Sequence, residues 1–133
     1  MKGQTVIPKK VLIIDDEVMI RKTTALLLKK ARIDVITAGS GPEGIDLAEK
    51  QYPDLILLDI VMPEMNGWEV LSQLKAREDL AKIPVIVFTA EDCFMSDGNA
   101  MQRGAEGVCR KPFQLHQLLG IIDGLNKESS NVF

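Results

Sequence analysis

Three aspartates, a threonine and a lysine stand out in this chain because each closes an apolar run. Val11-Leu12-Ile13-Ile14 stops at Asp15-Asp16, and Leu55-Ile56-Leu57-Leu58 stops at Asp59. Val85-Ile86-Val87-Phe88 stops at Thr89, and Gly107-Val108-Cys109-Arg110 stops at Lys111-Pro112. Carboxylates brought close repel one another, and left alone at least one would be protonated. A hard divalent cation with oxygen ligands removes that conflict, and Mg²⁺ suits a few carboxylates, a carbonyl and several retained waters. Mg²⁺, an ammonium and a hydroxyl together offer a place for each oxygen of a phosphoryl group. One carboxylate is then the nucleophile, giving an acyl phosphate. Asp59 is the better candidate, since it stands alone at its strand end while Asp15-Asp16 form a pair suited to the metal.

For these groups to meet, the runs must be neighbouring strands that point the same way. Continuous apolar runs bounded by turn signals read as strands buried on both faces of a parallel sheet. Between them lie helical patterns: Val18 to Ala31 with Met19, Ile20, Leu26, Leu27, Leu28 and Ala31, then Ile45, Leu47 and Ala48 after Gly41-Pro42, then Trp68, Val70, Leu71 and Leu74. A last helix is expected from about Phe113 to Leu125, and Ile33 to Ala38 supplies the remaining strand. Strands alternating with helices imply right-handed crossovers and an α/β, doubly wound, five-stranded parallel sheet of the flavodoxin-like class. In the 2-1-3-4-5 order, strands one and three adjoin at the switch point, where ligands gather outside the carboxyl ends. Strand two ends in Ala38-Gly39 and brings no reactive group, as an outlying strand can.

With these residues in these places the chain resembles the receiver domain of response regulators, the CheY-like family. The resemblance rests on Asp15-Asp16, Asp59, Met62-Pro63 with Asn66-Gly67, Thr89-Ala90 and Lys111-Pro112-Phe113. It spans about residues 9–126, with 1–8 as an N-terminal extension and 127–133 as a polar tail. It implies that Asp59 accepts a phosphoryl group from a sensor histidine kinase or a histidine phosphotransfer protein. It implies that Asp16, Asp59 and the Val61 carbonyl bind Mg²⁺ directly, with Asp15 acting through water. Thr89, Ala90 and Lys111 would hold the phosphate, and the bond to Pro112 would be cis. Met19, Ile20 and Thr23 on the first helix, with Phe113, would meet the donor protein. One position departs from the family: many receivers carry Tyr or Phe three residues before the lysine, and here it is Val108. A β-branched aliphatic cannot swing between rotamers as that ring does. The segment 90–104, with Ser96-Asp97-Gly98-Asn99 as a turn signature, is the alternative route for the signal.

Composition narrows the class further. At 133 residues the chain is one domain, and 46% of it is apolar without any stretch long enough to span a membrane. A net charge of −3 with dispersed basic residues argues against direct nucleic-acid binding. Cys93 and Cys109 are too few for a disulfide framework or a zinc site, so a cytoplasmic protein with reduced thiols is expected, as a monomer or weak dimer. Two other functions use similar parts. A Mg²⁺-dependent phosphohydrolase of the haloacid-dehalogenase type also has an aspartate nucleophile, but wants Asp-x-Asp where this chain has Asp15-Asp16-Glu17. An interaction module that is never phosphorylated would have no use for Asp59, Thr89 and Lys111 together.

Overall fold

The structure is a computed structural model that describes residues 8–63, 65–89, 103–111 and 114–128, with backbone alone at 89 and 125–128. Its elements are β1 (Lys10–Ile14), α1 (Val18–Lys30), β2 (Asp34–Ala38), α2 (Gly41–Gln51), β3 (Leu55–Asp59), α3 (Gly67–Ala76), β4 (Val85–Thr89), β5 (Gly107–Arg110) and α4 (Leu115–Glu128). The strands form one sheet in the order β2-β1-β3-β4-β5, every pairing parallel. That is the expected topology, with β1 beside β3 at the switch point.

Alternation along each strand sorts its side chains to opposite faces. Leu12, Ile14, Ile56, Leu58, Val85 and Val87 pack with Ala48 of α2 and with Val70, Leu71 and Leu74 of α3. Val11, Ile13, Leu55, Leu57, Ile86 and Phe88 pack on the other face, with Ala25 and Leu28 of α1 and Leu118 and Ile122 of α4. Both faces being covered, the inner strands β1, β3 and β4 have no polar side, which is why their sequences read as unbroken apolar runs, whereas the edge strands β2 and β5 expose Asp34, Thr37 and Arg110. Fully burying one such aliphatic side chain contributes roughly 2 kcal/mol.

Local chemistry sets the helix ends. Ser40 caps α2 by accepting from Glu43 N–H at 3.3 Å, while the Glu43 carboxylate accepts from Gly39 N–H at 2.7 Å. Asn66 caps α3 by accepting from Glu69 N–H at 3.0 Å. α1 closes with Arg32 N–H on the Lys29 carbonyl and Ile33 N–H on the Leu28 carbonyl, which puts Arg32 at φ 64°. The Lys75 ammonium of α3 donates to the Ala81 and Ile83 carbonyls and to the Glu106 carboxylate, which also accepts from Val85 N–H at 2.7 Å. That junction ties α3 to the starts of β4 and β5.

Two expectations need correction. Leu26 of the apolar stripe on α1 is 63% exposed, and Thr24, Ala25 and Leu28 are the buried residues of that helix; Met19, expected to face a partner, is 70% exposed. Three consecutive leucines cover most of a helical turn, so they cannot all face one way. The last helix also runs to Glu128 rather than Leu125, because Asn126-Lys127-Glu128 contains no breaker.

Candidate functional site

Asp15 follows the last residue of β1 and is completely buried. Every polar atom it has is engaged. Its N–H donates to the Ala38 carbonyl at 3.0 Å, and its carbonyl accepts from the Arg21 guanidinium at 2.8 Å. Of its carboxylate oxygens, Oδ1 accepts from Glu17 N–H at 2.9 Å and Oδ2 from Lys111 Nζ at 2.7 Å. Asp59, the last residue of β3, lies across the crevice and is 2% exposed. Its Oδ1 accepts from Val61 N–H at 3.3 Å and lies 3.4 Å from Lys111 Nζ. The ammonium also stands 3.7 Å from Glu17 Oε1 and 4.7 Å from the centre of the buried Phe88 ring. One lysine thus joins two strand ends that are distant in sequence.

Charges held this way shift one another. Burial pushes the Asp59 carboxyl up to about 7, with the Asp15 charge adding to it and Lys111 opposing. Burial would lower the Lys111 ammonium, but its hydrogen bond to Asp15 and the charges of Asp59 and Asp15 outweigh that and hold it above its ordinary value. Both shifts stem from placing two carboxylates and one ammonium where water is scarce. Cys109 is a different case: burial raises its thiol to about 11, which leaves it inert.

Asp16 sits differently from its neighbour. It is half-buried, its carboxylate makes no hydrogen bond among the described residues, and it lines a cavity of about 300 Å³ with Gly39, Ser40, Gly41, Met62, Pro63 and Met65. Val61 is half exposed at the mouth of β3. The carboxylates that converge within 4.8 Å of one another are those of Asp15, Glu17 and Asp59. Glu17 was not singled out from sequence, and a spacing of two residues from Asp15 within a turn was the one available signal. The Lys111 ammonium already lies among those three. A cluster of carboxylate oxygens of this kind fits Mg²⁺, a hard cation that takes oxygen ligands.

Of the residues expected to hold phosphate, Lys111 stands beside Asp59, while Ala90 and the Thr89 side chain lie outside the described residues, as do Pro112 and Phe113. The backbone of Thr89 ends β4, in register with Arg110 of β5. Met19 and Thr23 are exposed on α1, whereas Ile20 is half-buried and packs toward the core on that face. Val108 is likewise packed against the α2–α3 side of the core. Most of segment 90–104 lies outside the described residues.

Three kinds of comparison agree with this arrangement. The family model described as the response regulator receiver domain matches residues 11–123. Protein PilG of Pseudomonas aeruginosa is 34% identical over 113 residues, covering 85% of this chain and 84% of that protein. The alkaline phosphatase synthesis transcriptional regulatory protein PhoP of Bacillus subtilis is 33% identical over 121 residues, but this chain spans 50% of its length. Among solved structures, chemotaxis protein CheY4 of Vibrio cholerae superposes with a TM-score of 0.78 at 30% identity, covering 90% of this chain and 99% of that one. A receiver domain protein from Clostridium thermocellum gives 0.81 at 27% identity, covering 93% and 98%. The haloacid-dehalogenase alternative is not favoured by any of this. With its sheet order, its buried acidic crevice and a family match over nearly its whole length, the chain belongs to the response regulator receiver domains, the phosphoacceptors of two-component signalling.

Proposed function

We propose that Asp59 is the phosphoacceptor, taking its phosphoryl group from a phosphohistidine in a Mg²⁺-dependent step that the domain itself catalyses. The observation that carries this is the pairing of a buried Asp59 carboxylate with Lys111 Nζ at 3.4 Å, at the switch point of the sheet. An Asp59 oxygen attacks phosphorus, the phosphorus–nitrogen bond breaks, and its electron pair returns to the imidazole. Mg²⁺, when bound, neutralises charge on the phosphoryl oxygens. Asp16, Asp59 and the Val61 carbonyl would hold it. Asp15 would act through water, since both its carboxylate oxygens already accept hydrogen bonds. Lys111 takes one phosphoryl oxygen, and Thr89 with Ala90 the next.

Incubation with Mg²⁺ and a small phosphodonor should add one phosphoryl group labile to hydroxylamine. Asp59→Asn should abolish it, because an amide is a poor nucleophile. Retention of the wild-type rate in that variant would assign the acceptor elsewhere. Asp16→Ala should weaken Mg²⁺ binding more than Asp15→Ala does, and a calorimetric titration giving the reverse order would reject the division of roles.

A further inference from the structure

Arg21 is the fourth residue of α1, at the end of its first turn, and reaches back past the start of its own helix. One guanidinium nitrogen donates to the Asp15 carbonyl at 2.8 Å. The same group lies close to Gly39: a methyl built on that glycine would stand 3.1 Å from Arg21 Nη1 and 3.5 Å from its central carbon. Gly39 follows β2, whose last carbonyl, that of Ala38, accepts from Asp15 N–H. The guanidinium therefore wedges between the turn that carries Asp15-Asp16 and the loop that leaves β2. The backbone φ of Gly39 is not in the left-handed region, so the glycine is not required by local conformation. What its missing side chain provides is room for Arg21.

We propose that Arg21 is a positioning residue for the Asp15-Asp16 turn, and that Gly39 is its seat. With Arg21 on the Asp15 carbonyl and Ala38 on the Asp15 N–H, the turn is held from both sides. Asp15 is then aimed at Lys111 and Asp16 toward the metal side. The effect on the metal has two opposed parts. Losing the strut lets the turn wander and weakens Mg²⁺ binding, whereas losing a positive charge near the acidic group strengthens it. Salt separates them, because at about 1 M the screening length is only about 3 Å while a hydrogen-bonded strut is untouched.

This inference rests on the Mg²⁺ site proposed above, so the test has one arm that needs no metal. In the metal-free full chain, Arg21→Met should speed amide exchange at Glu17, whose N–H is held by Asp15 Oδ1, by about fivefold or more, a part of what a charged hydrogen bond is worth. The amide of Leu28, deep in the same helix, should be unchanged, which a general loss of fold would not allow. In calorimetry at about 1 M KCl, Arg21→Met should bind Mg²⁺ about fivefold more weakly than wild type, and Arg21→Lys should recover part of the loss. Gly39→Ala, which keeps every charge, should weaken Mg²⁺ at low and high salt alike, yet add nothing in the Arg21→Met background. Unchanged Glu17 exchange in Arg21→Met, or full additivity of the two substitutions, would overturn the proposal. A wild type that bound no Mg²⁺ would overturn the metal assignment instead and leave the exchange arm to decide this one.

Discussion

At the scale of single residues, the site is governed by how little water reaches it. Asp59 carries a pKa of about 7 in the fold against an ordinary value of 3.8, with burial as the main cause. A carboxyl whose pKa rises on folding binds its proton more tightly in the native state. Its stabilising contribution is complete below the unfolded value and is lost as pH climbs through the folded one. Metal-free protein should therefore melt at a lower temperature near pH 8 than near pH 5, and Asp59→Asn should remove that part of the slope. Lys111 does not enter, because its elevated pKa lies above this window. Equal slopes in wild type and Asp59→Asn, measured by calorimetry without Mg²⁺, would show that Asp59 titrates as an ordinary surface acid.

At the scale of elements, the loop from β3 to α3 shows how closely the acceptor strand is backed. Gly67 N–H donates to the Ile60 carbonyl at 2.8 Å. A methyl on Gly67 would stand 2.6 Å from the Ile60 Cα and closer still to the Asp59 carbonyl. Neither backbone group can retreat without moving the strand end, so Gly67→Ala should cost about 2 kcal/mol or more in a denaturant titration. Gly120 on α4 is the control, since a methyl there meets nothing within 4 Å. Gly120→Ala should be stabilising by about 0.5 kcal/mol, as an exposed helical glycine is. If the two glycines responded alike, the close approach at Gly67 would be refuted. The elements themselves were largely legible in the sequence, because β1, β3 and β4, buried on both faces, leave long apolar runs, and these strands and β5 each end at a polar residue. What could not be read was rotation. Nothing in Ala25-Leu26-Leu27-Leu28 says which leucine meets the sheet until the axis of α1 is placed by its neighbours. Similarly, Asp15 and Asp16 are adjacent and identical, and only the turn geometry commits the first to Lys111 and leaves the second free of hydrogen bonds among the described residues. The approach of Glu17 to Asp59 is likewise a property of the turn and has no signature in residue type.

At the scale of the whole molecule, α1 presents Val18, Met19 and Leu26 to solvent, three of the large apolar side chains that stay exposed among the described residues. Its first turn follows directly on Glu17, which lies with Asp15 and Asp59, so under the proposed phosphotransfer this exposed face is the expected docking site of the donor protein. Met19→Glu should slow transfer from a cognate histidine kinase by about tenfold, a typical loss for one buried anchor of an interface. Phosphorylation by a small donor should be unaffected, since Met19 is 70% exposed and makes no part of the core. Equal losses in both assays would place the damage in the fold or the crevice instead of the docking face. Ile20 is the poorer probe, because its half-buried side chain packs toward the core.

The sequestration of Lys111 has a further consequence for amine chemistry. Acylating reagents attack only the neutral amine, and only where they can reach it. Lys9, Lys22, Lys29, Lys30, Lys50 and Lys82 are all exposed. The Lys111 side chain is 8% exposed and is held in its charged form by two carboxylates, which withholds both requirements. Brief labelling of the native chain should therefore mark the surface lysines and spare Lys111. Its late modification then becomes a clock for opening of the crevice, readable by mass spectrometry with no kinase, metal or phosphate in the tube.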